Sequence, residues 1–97
     1  MRLPKPRIQP VQRDDLTAEQ RDLLDPLGEA ARLNLFGTLI RYPKLFERVL
    51  SLGAYVHQES TLPPRDRELL ILRIGWLCQA EYEWSYHAIS GKQAGLT

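Results

Sequence analysis

The feature that most constrains this chain is a proline-free stretch from Glu68 to Gly91, apolar in its first half and rich in acidic and aromatic side chains in its second. A segment of this length without proline predicts one or two helices. On a helix, Ala80, Glu83, His87 and Gly91 are spaced by three, four and four residues, so at about 100° per residue they share one face. A carboxylate and an imidazole one turn apart, between two small residues, indicate an acid–base pair beside room for a ligand.

Composition excludes several classes of protein. With 97 residues, of which 43% are apolar, the chain can form one small domain with a core. A net charge of +1 and scattered basic residues argue against nucleic acid or an anionic membrane as the main partner. Cys78 is the only cysteine, which excludes an internal disulfide and indicates a reducing compartment. Arg73 interrupts the apolar segment, and the N-terminus has no apolar leader, so we expect a cytoplasmic protein without a membrane span.

The first part of the chain predicts an extended arm followed by a capped helix. Residues 1–16 are rich in proline and basic residues, which favours an extended backbone. Two apolar residues are expected to anchor this arm, Ile8 and Val11; the alternative is a frayed terminus. Thr17, followed by Gln20 three residues later, matches the capping box that begins a helix, and Pro26 is expected to end or kink that helix.

Further start and stop signals divide residues 34–97 into more helices. Asn34 is a candidate cap of a short apolar helix, and Pro43 suits the first turn of the next one, which continues to about residue 59. A break at Ser60–Pro64 precedes a central helix, and Gly95 is a natural end for the last helix. Whether the chain breaks at Gly75 or Gln79 stays open.

These elements predict an all-α protein, because no β-alternation of useful length occurs. The central helix is apolar on nearly every side over residues 69–77, which is typical of the middle of a bundle or of an oligomer interface. We divide the chain into an arm at 1–16 and a helical domain at 17–97. Leu96-Thr97 repeats the Leu16-Thr17 pair that precedes the first helix, so we expect the sequence to stop where a further helix would begin.

Several short motifs, in this order and spacing, resemble the carboxymuconolactone decarboxylase family, which also includes alkyl hydroperoxidase D-like proteins. They are Asn34-Leu35-Phe36, Ser60–Arg65, Arg67-Glu68-Leu69, Gly75–Cys78, Ala80–Trp84 with His87, and Ala94–Thr97, with weaker matches at Arg7-Ile8 and Leu16-Thr17. The resemblance implies a small helical bundle of the alkyl hydroperoxidase D-like type. It also implies completion by oligomerisation as a dimer, trimer or hexamer. From the resemblance we also expect a domain without the usual C-terminal helices of the family.

The resemblance also separates this chain from the redox members of the family. Those members carry a glutamate, a Cys-x-x-Cys pair and a histidine four residues after the second cysteine. Glu68 and His87 match the glutamate and the histidine, whereas Ala80 and Glu83 stand at the two cysteine positions. Thiol peroxidase chemistry needs a thiolate and a resolving thiol. The resemblance therefore implies the decarboxylase-like branch. Cys78 is expected to be a small core residue on another face.

The candidate site residues follow from the spacing and the resemblance together. His87 is the expected proton donor, Glu83 would orient it, and Glu68 would relay protons to it. Three aromatic residues are candidates for binding the substrate: Tyr82, Tyr86 and Trp84. Each has a structural alternative: Glu83 and His87 can form a surface pair, Glu68 can stabilise a helix N-terminus, and the aromatic residues can pack in an interface. His57 is expected to be structural or exposed, and Arg73 would need an acidic partner if it were buried.

Two classes of function remain open. The first is a cofactor-free carboxy-lyase-like enzyme that decarboxylates, or moves protons on, a small carboxylated lactone or related acid, as in aromatic degradation. The second is a non-catalytic helical oligomerisation module. Peroxide reduction of the alkyl hydroperoxidase D type is a weaker third candidate. Neither an organic cofactor nor a metal is expected, because Glu68, Glu83 and His87 do not have the spacing of a recognised ligand set.

Overall fold

A computed structural model describes residues 3–97. Met1 and Arg2, at the start of the expected arm, lie outside the described residues. Over residues 3–97 the regular structure is helical and no strand occurs, which confirms the predicted all-α class. The α-helices are α1 (Ala18–Leu24), α2 (Asn34–Leu39), α3 (Pro43–Ala54), α4 (Pro64–Leu77) and α5 (Glu81–Gln93). Two 3-10 segments, Arg13–Asp15 and Asp25–Arg32, and a π-helical turn, Tyr55–Glu59, connect them; the second 3-10 segment is interrupted by a kink at Gly28.

Backbone contacts group the chain into two units, one ending at Tyr55 and the other comprising Val56–Thr97. This grouping does not test the division into residues 1–16 and 17–97 that the sequence suggests, which stays a prediction. In the N-terminal unit, the core consists of Leu24, Ile40 and Phe46, each almost fully buried. Phe36 packs edge-on against Phe46, with ring centroids 6.0 Å apart. This core comes from α1, α2 and α3.

Local signals in the N-terminal unit behave largely as the sequence predicts. The Thr17 hydroxyl accepts a hydrogen bond from the Gln20 backbone N–H at 3.1 Å, and the Gln20 side chain accepts one from the Thr17 N–H at 2.9 Å. This is the predicted capping box. The α-helix ends just before Pro26, where the 3-10 segment takes over. The expected cap at Asn34 is wrong, because Leu33 has the extended cap geometry and Asn34 is already the first helical residue.

The arm is anchored by one of its two predicted residues. The Val11 N–H donates to the Gly37 carbonyl at 2.8 Å, and Val11 packs against the core. Gly37 permits this approach, since a Cβ there would lie 3.0 Å from the Pro10 Cβ. Ile8 is exposed, so its predicted anchoring role is wrong.

The C-terminal unit is built on α4 and α5. Pro64 is the first residue of α4, as predicted, because its missing N–H has no partner to lose there. After α5, Gly95 has a φ of 105°, and the Leu96 N–H bonds to the Gly91 carbonyl at 2.9 Å. This is the expected glycine-terminated helix end. Arg73 is exposed, so it requires no buried acidic partner.

Candidate active site

Helices α4 and α5 run antiparallel, and two buried glycines allow their close contact. A Cβ at Gly75, near the end of α4, would lie 3.8 Å from the Glu83 Cβ near the start of α5. A Cβ at Gly91, near the end of α5, would lie 3.3 Å from the Leu72 Cδ1 and 3.8 Å from the Glu68 Cβ on α4. The face of α5 that carries the candidate acid–base residues is therefore the face that packs against α4.

The turn between the two helices sets this register. Cys78 is the C-cap of α4, Gln79 has a φ of 53°, and Ala80 is the N-cap of α5. The Ala80 N–H bonds to the Gly75 carbonyl at 2.8 Å and the Gln79 N–H to the Trp76 carbonyl at 3.1 Å, the pattern that normally places glycine where Gln79 stands. Cys78 is exposed, so its expected place in the core is wrong. It belongs to the preceding helix end rather than to α5.

Glu68 and His87 form the central contact of the site. The Nδ1 of His87 lies 2.6 Å from the Oε2 of Glu68, and the two side chains are 17% and 3% exposed. When Glu68 is a carboxylate it can only accept, so Nδ1 carries the hydrogen. In the neutral imidazole, Nε2 is then left as the atom with a free lone pair. As a carboxylate, Glu68 would thus fix both the orientation of His87 and its tautomer.

Glu83 lies at the other nitrogen of the same imidazole. Its Oε2 is 3.6 Å from the His87 Nε2, too far for a hydrogen bond, and its side chain is 46% exposed. Glu68 and Glu83 therefore contact opposite edges of His87 in different surroundings, one buried and one reached by water. The structure brings together the three residues that the sequence proposes as catalytic.

Two residues that the sequence analysis does not propose for the site complete the cluster. The Nη1 of Arg67 donates to the His57 carbonyl at 3.0 Å, and its Nη2 lies 3.5 Å from the Glu68 Oε1. The ring of His57 stacks on that of His87, with centroids 6.0 Å apart and planes inclined by 13°. His57 is exposed, as expected, but its contact depends on the π-helical turn. Helical periodicity carries no signal for such a turn.

The three proposed substrate-binding residues lie on α5 beside the row formed by Glu83 and His87. Tyr82 and Tyr86 contact each other, with ring centroids 4.9 Å apart, and Trp84 contacts Trp76 of α4 at 5.6 Å. All are partly exposed. By helical rotation, the tyrosines flank the Glu83–His87 row on one side and Trp84 flanks it on the other. Their role in binding a substrate stays a prediction.

No three His, Cys, Asp or Glu side chains converge as a set that could hold a metal ion within residues 3–97. No helix in that range combines the length and apolar character needed to cross a bilayer. An open groove of about 550 Å³ lies in the N-terminal unit and includes Pro10, Gln20 and Arg41 in its lining. None of the predicted site residues lines this groove.

Comparison with known proteins gives one finding for the family. The sequence model of the carboxymuconolactone decarboxylase family matches residues 43–97. The matched range contains α3, α4, α5 and the whole Glu68–His87 cluster, and it excludes the Asn34-Leu35-Phe36 motif. No curated protein and no solved structure gives a match.

Proposed function

The chain belongs to the carboxymuconolactone decarboxylase family, and from that premise we propose that it catalyses acid–base decarboxylation, or a related proton transfer, on a small carboxylated lactone or similar acid. The observation that carries the proposal is the 2.6 Å contact between the buried Glu68 carboxyl and the His87 Nδ1. Such a contact prepares an imidazole to exchange a proton at its other nitrogen, as the carboxylate–histidine pairs of hydrolases do.

The energetics of burial support a functional reading of this contact. Burying an ion pair costs several kcal/mol in desolvation, and well-packed apolar residues in its place are often as stable or more so. Glu68 is 2% exposed, so stability alone gives little reason for a carboxylate at this position. A group kept at such a cost is a candidate for chemistry.

The proposed reaction assigns one task to each edge of the imidazole. Loss of carbon dioxide breaks the bond between the carboxylate carbon and the substrate, and the electron pair stays on the substrate carbon as an enolate-type anion. The Nε2–H of the His87 imidazolium gives its proton to that carbon. His87 then remains neutral, with the Nδ1 hydrogen held by Glu68. One proton from solvent restores the imidazolium.

The geometry favours an exchange of the roles that the sequence suggested for the two glutamates. Glu68 is buried and bonded to Nδ1, which suits orientation. Glu83 is half-exposed and 3.6 Å from Nε2, which suits passage of the proton between water and the imidazole. Glu68 as orienting residue and Glu83 as proton carrier are therefore part of the proposal.

Turnover of carboxymuconolactone by the purified chain tests the proposal. We expect carbon dioxide release by the wild type, a loss of roughly a hundredfold or more in kcat in His87→Gln, and a smaller loss in Glu83→Gln. Glu47→Gln, which changes an exposed carboxylate on α3 outside the cluster, serves as the control and is expected to retain full activity. Unchanged turnover in His87→Gln would remove His87 from the mechanism, and no turnover by the wild type would refute lactone decarboxylation.

The alternative function, a non-catalytic oligomerisation module, is supported by a different observation. Several large apolar side chains of α4 and α5 are at least half exposed within the chain: Leu69, Leu70, Ile74, Trp76, Leu77 and Ile89. Monomeric proteins rarely leave so much apolar surface in water. We propose under both readings that copies of this chain cover it in a homo-oligomer.

Sedimentation across a range of protein concentrations tests the assembly. A species larger than one chain is expected for the wild type and for His87→Gln alike. Its dissociation by Leu70→Glu is also expected, since that change places a charge on exposed apolar surface. A monomer at all concentrations would refute the assembly. Assembly without any turnover would favour the non-catalytic module.

A further inference from the structure

Arg67 connects the two ends of the cluster. Its guanidinium holds the His57 carbonyl in the π-helical turn through Nη1 and faces the Glu68 carboxyl through Nη2. The side chain is 16% exposed, and its Nε atom is buried with no hydrogen-bond partner among the residues that the structure describes. A buried donor left unpaired destabilises the folded state. Arg67 is therefore held by its two contacts at a cost to stability.

The turn that Arg67 holds is of a rare kind. Residues Tyr55–Glu59 form a π-helical turn, and such turns usually occur singly and are frequent at functional sites. Here the turn lays the His57 ring nearly parallel to the His87 ring, at 13° and 6.0 Å. This separation is within the range of offset-stacked aromatic rings. The His57 ring therefore lies alongside one face of His87, while Glu68 occupies its Nδ1 edge.

We propose that Arg67 and His57 are positioning residues for His87. Arg67 fixes the turn to α4, the turn places the His57 ring over one face of the imidazole, and a substrate then reaches His87 only at the Nε2 edge and the opposite face. The inference deepens the proposed function, since it assumes that His87 is the group that reacts. It gives His57 a steric role for which its ring shape matters and its nitrogens do not.

The reactivity of His87 toward diethyl pyrocarbonate tests this without any substrate. The reagent acylates a neutral imidazole at an accessible nitrogen, and His57 and His87 are the two histidines of the chain. Cleavage after lysine and arginine places them in separate peptides, 49–65 and 74–92, so mass spectrometry gives the rate at each. We expect acylated His87 to form several-fold faster in His57→Ala than in the wild type. In His57→Phe it should form at the wild-type rate.

Arg67→Met is expected to raise the His87 rate in the same way, by freeing the turn. Arg65→Met is the matched control, because Arg65 is exposed and pairs with the exposed Asp66 at 3.7 Å. It should leave the rate unchanged. An unchanged His87 rate in His57→Ala, equal rates in His57→Ala and His57→Phe, or equal effects of the two arginine substitutions would each overturn the proposal.

Measurement of lactone turnover separates this inference from the proposed function. If the wild type is active, His57→Ala is expected to lower kcat roughly tenfold to a hundredfold through misorientation, with recovery in His57→Phe. If the wild type is inactive on the lactone, the acylation rates still decide whether Arg67 and His57 position His87. Loss of activity in His57→Phe together with a wild-type acylation rate would overturn the steric role alone.

Discussion

Replacing Gly91 by alanine tests the helix contact on which the candidate site depends. A Cβ at this position would lie 3.0 Å from the Leu96 Cδ1, 3.3 Å from the Leu72 Cδ1 and 3.8 Å from the Glu68 Cβ. The first two distances are shorter than ordinary contacts, so α5 or the two leucine side chains must move. Gly75 is the matched control in the same helix pair, since its nearest neighbour would lie at an ordinary 3.8 Å.

The magnitude follows from two opposing effects. Alanine in place of glycine within a helix stabilises by up to about 1 kcal/mol, and both sites gain this. Overpacking a core with one added carbon costs about 1–3 kcal/mol, and only Gly91→Ala incurs it. The clashing atoms are the ends of leucine side chains, which can rotate, so we expect the lower half of that range. Gly75→Ala should be neutral or stabilising, and Gly91→Ala should be less stable than Gly75→Ala by about 1–2 kcal/mol.

Urea unfolding followed by circular dichroism measures both variants. The two proteins must be compared at one concentration, because self-association adds concentration-dependent stability. Equal m-values would show that unfolding exposes the same amount of surface in both variants. If Gly91→Ala were as stable as Gly75→Ala, α5 would not approach α4 closely beside Glu68. The geometry that brings Glu68 to His87 would then be wrong.

Three further predictions concern local features. Thr17→Ala removes the hydroxyl that caps α1 through Gln20 and should cost about 1 kcal/mol in urea unfolding; no change would mean that the capping box does not form in solution. At the two helix ends with positive φ, Gly95→Ala should destabilise by roughly 1–2 kcal/mol whereas Gln79→Gly should not, and equal losses would contradict the turn geometry. Cys78→Ser, at an exposed site, should change the free energy of unfolding by less than about 0.5 kcal/mol. In a thiol-dependent peroxide assay, this variant and the wild type should give the same rate.

Much of the helical pattern was accessible from the sequence because it depends on neighbouring residues. The Thr17–Gln20 capping box, the start of α4 at Pro64 and the end of α5 before Gly95 all follow from backbone hydrogen-bonding needs that are satisfied locally. The shared face of Glu83 and His87 follows from helix geometry. The predicted helix cap at Asn34 is wrong because the adjacent residue, Leu33, adopts the cap conformation instead.

The contacts between segments could not be predicted from neighbouring residues in this way. Periodicity assigns residues to a face of a helix but not to the neighbour that this face meets. The approach of Glu68 to His87, nineteen positions apart, was implied by the family resemblance rather than by spacing. It depends on a turn in which Gln79 takes a conformation usual for glycine. Arg67 and His57 were missed because their contacts pass through a backbone carbonyl and a π-helical turn.

The tautomer of His87 tests the central claim most directly. Long-range nitrogen–proton NMR spectra of the neutral imidazole distinguish a hydrogen on Nδ1 from one on Nε2, and His57→Phe leaves His87 as the single histidine to be assigned. The 2.6 Å contact with Glu68 predicts the Nδ1–H form in this variant and its loss in His57→Phe/Glu68→Leu. A dominant Nε2–H form, or a spectrum unaffected by the change at Glu68, would show that the buried carboxylate does not hold the imidazole.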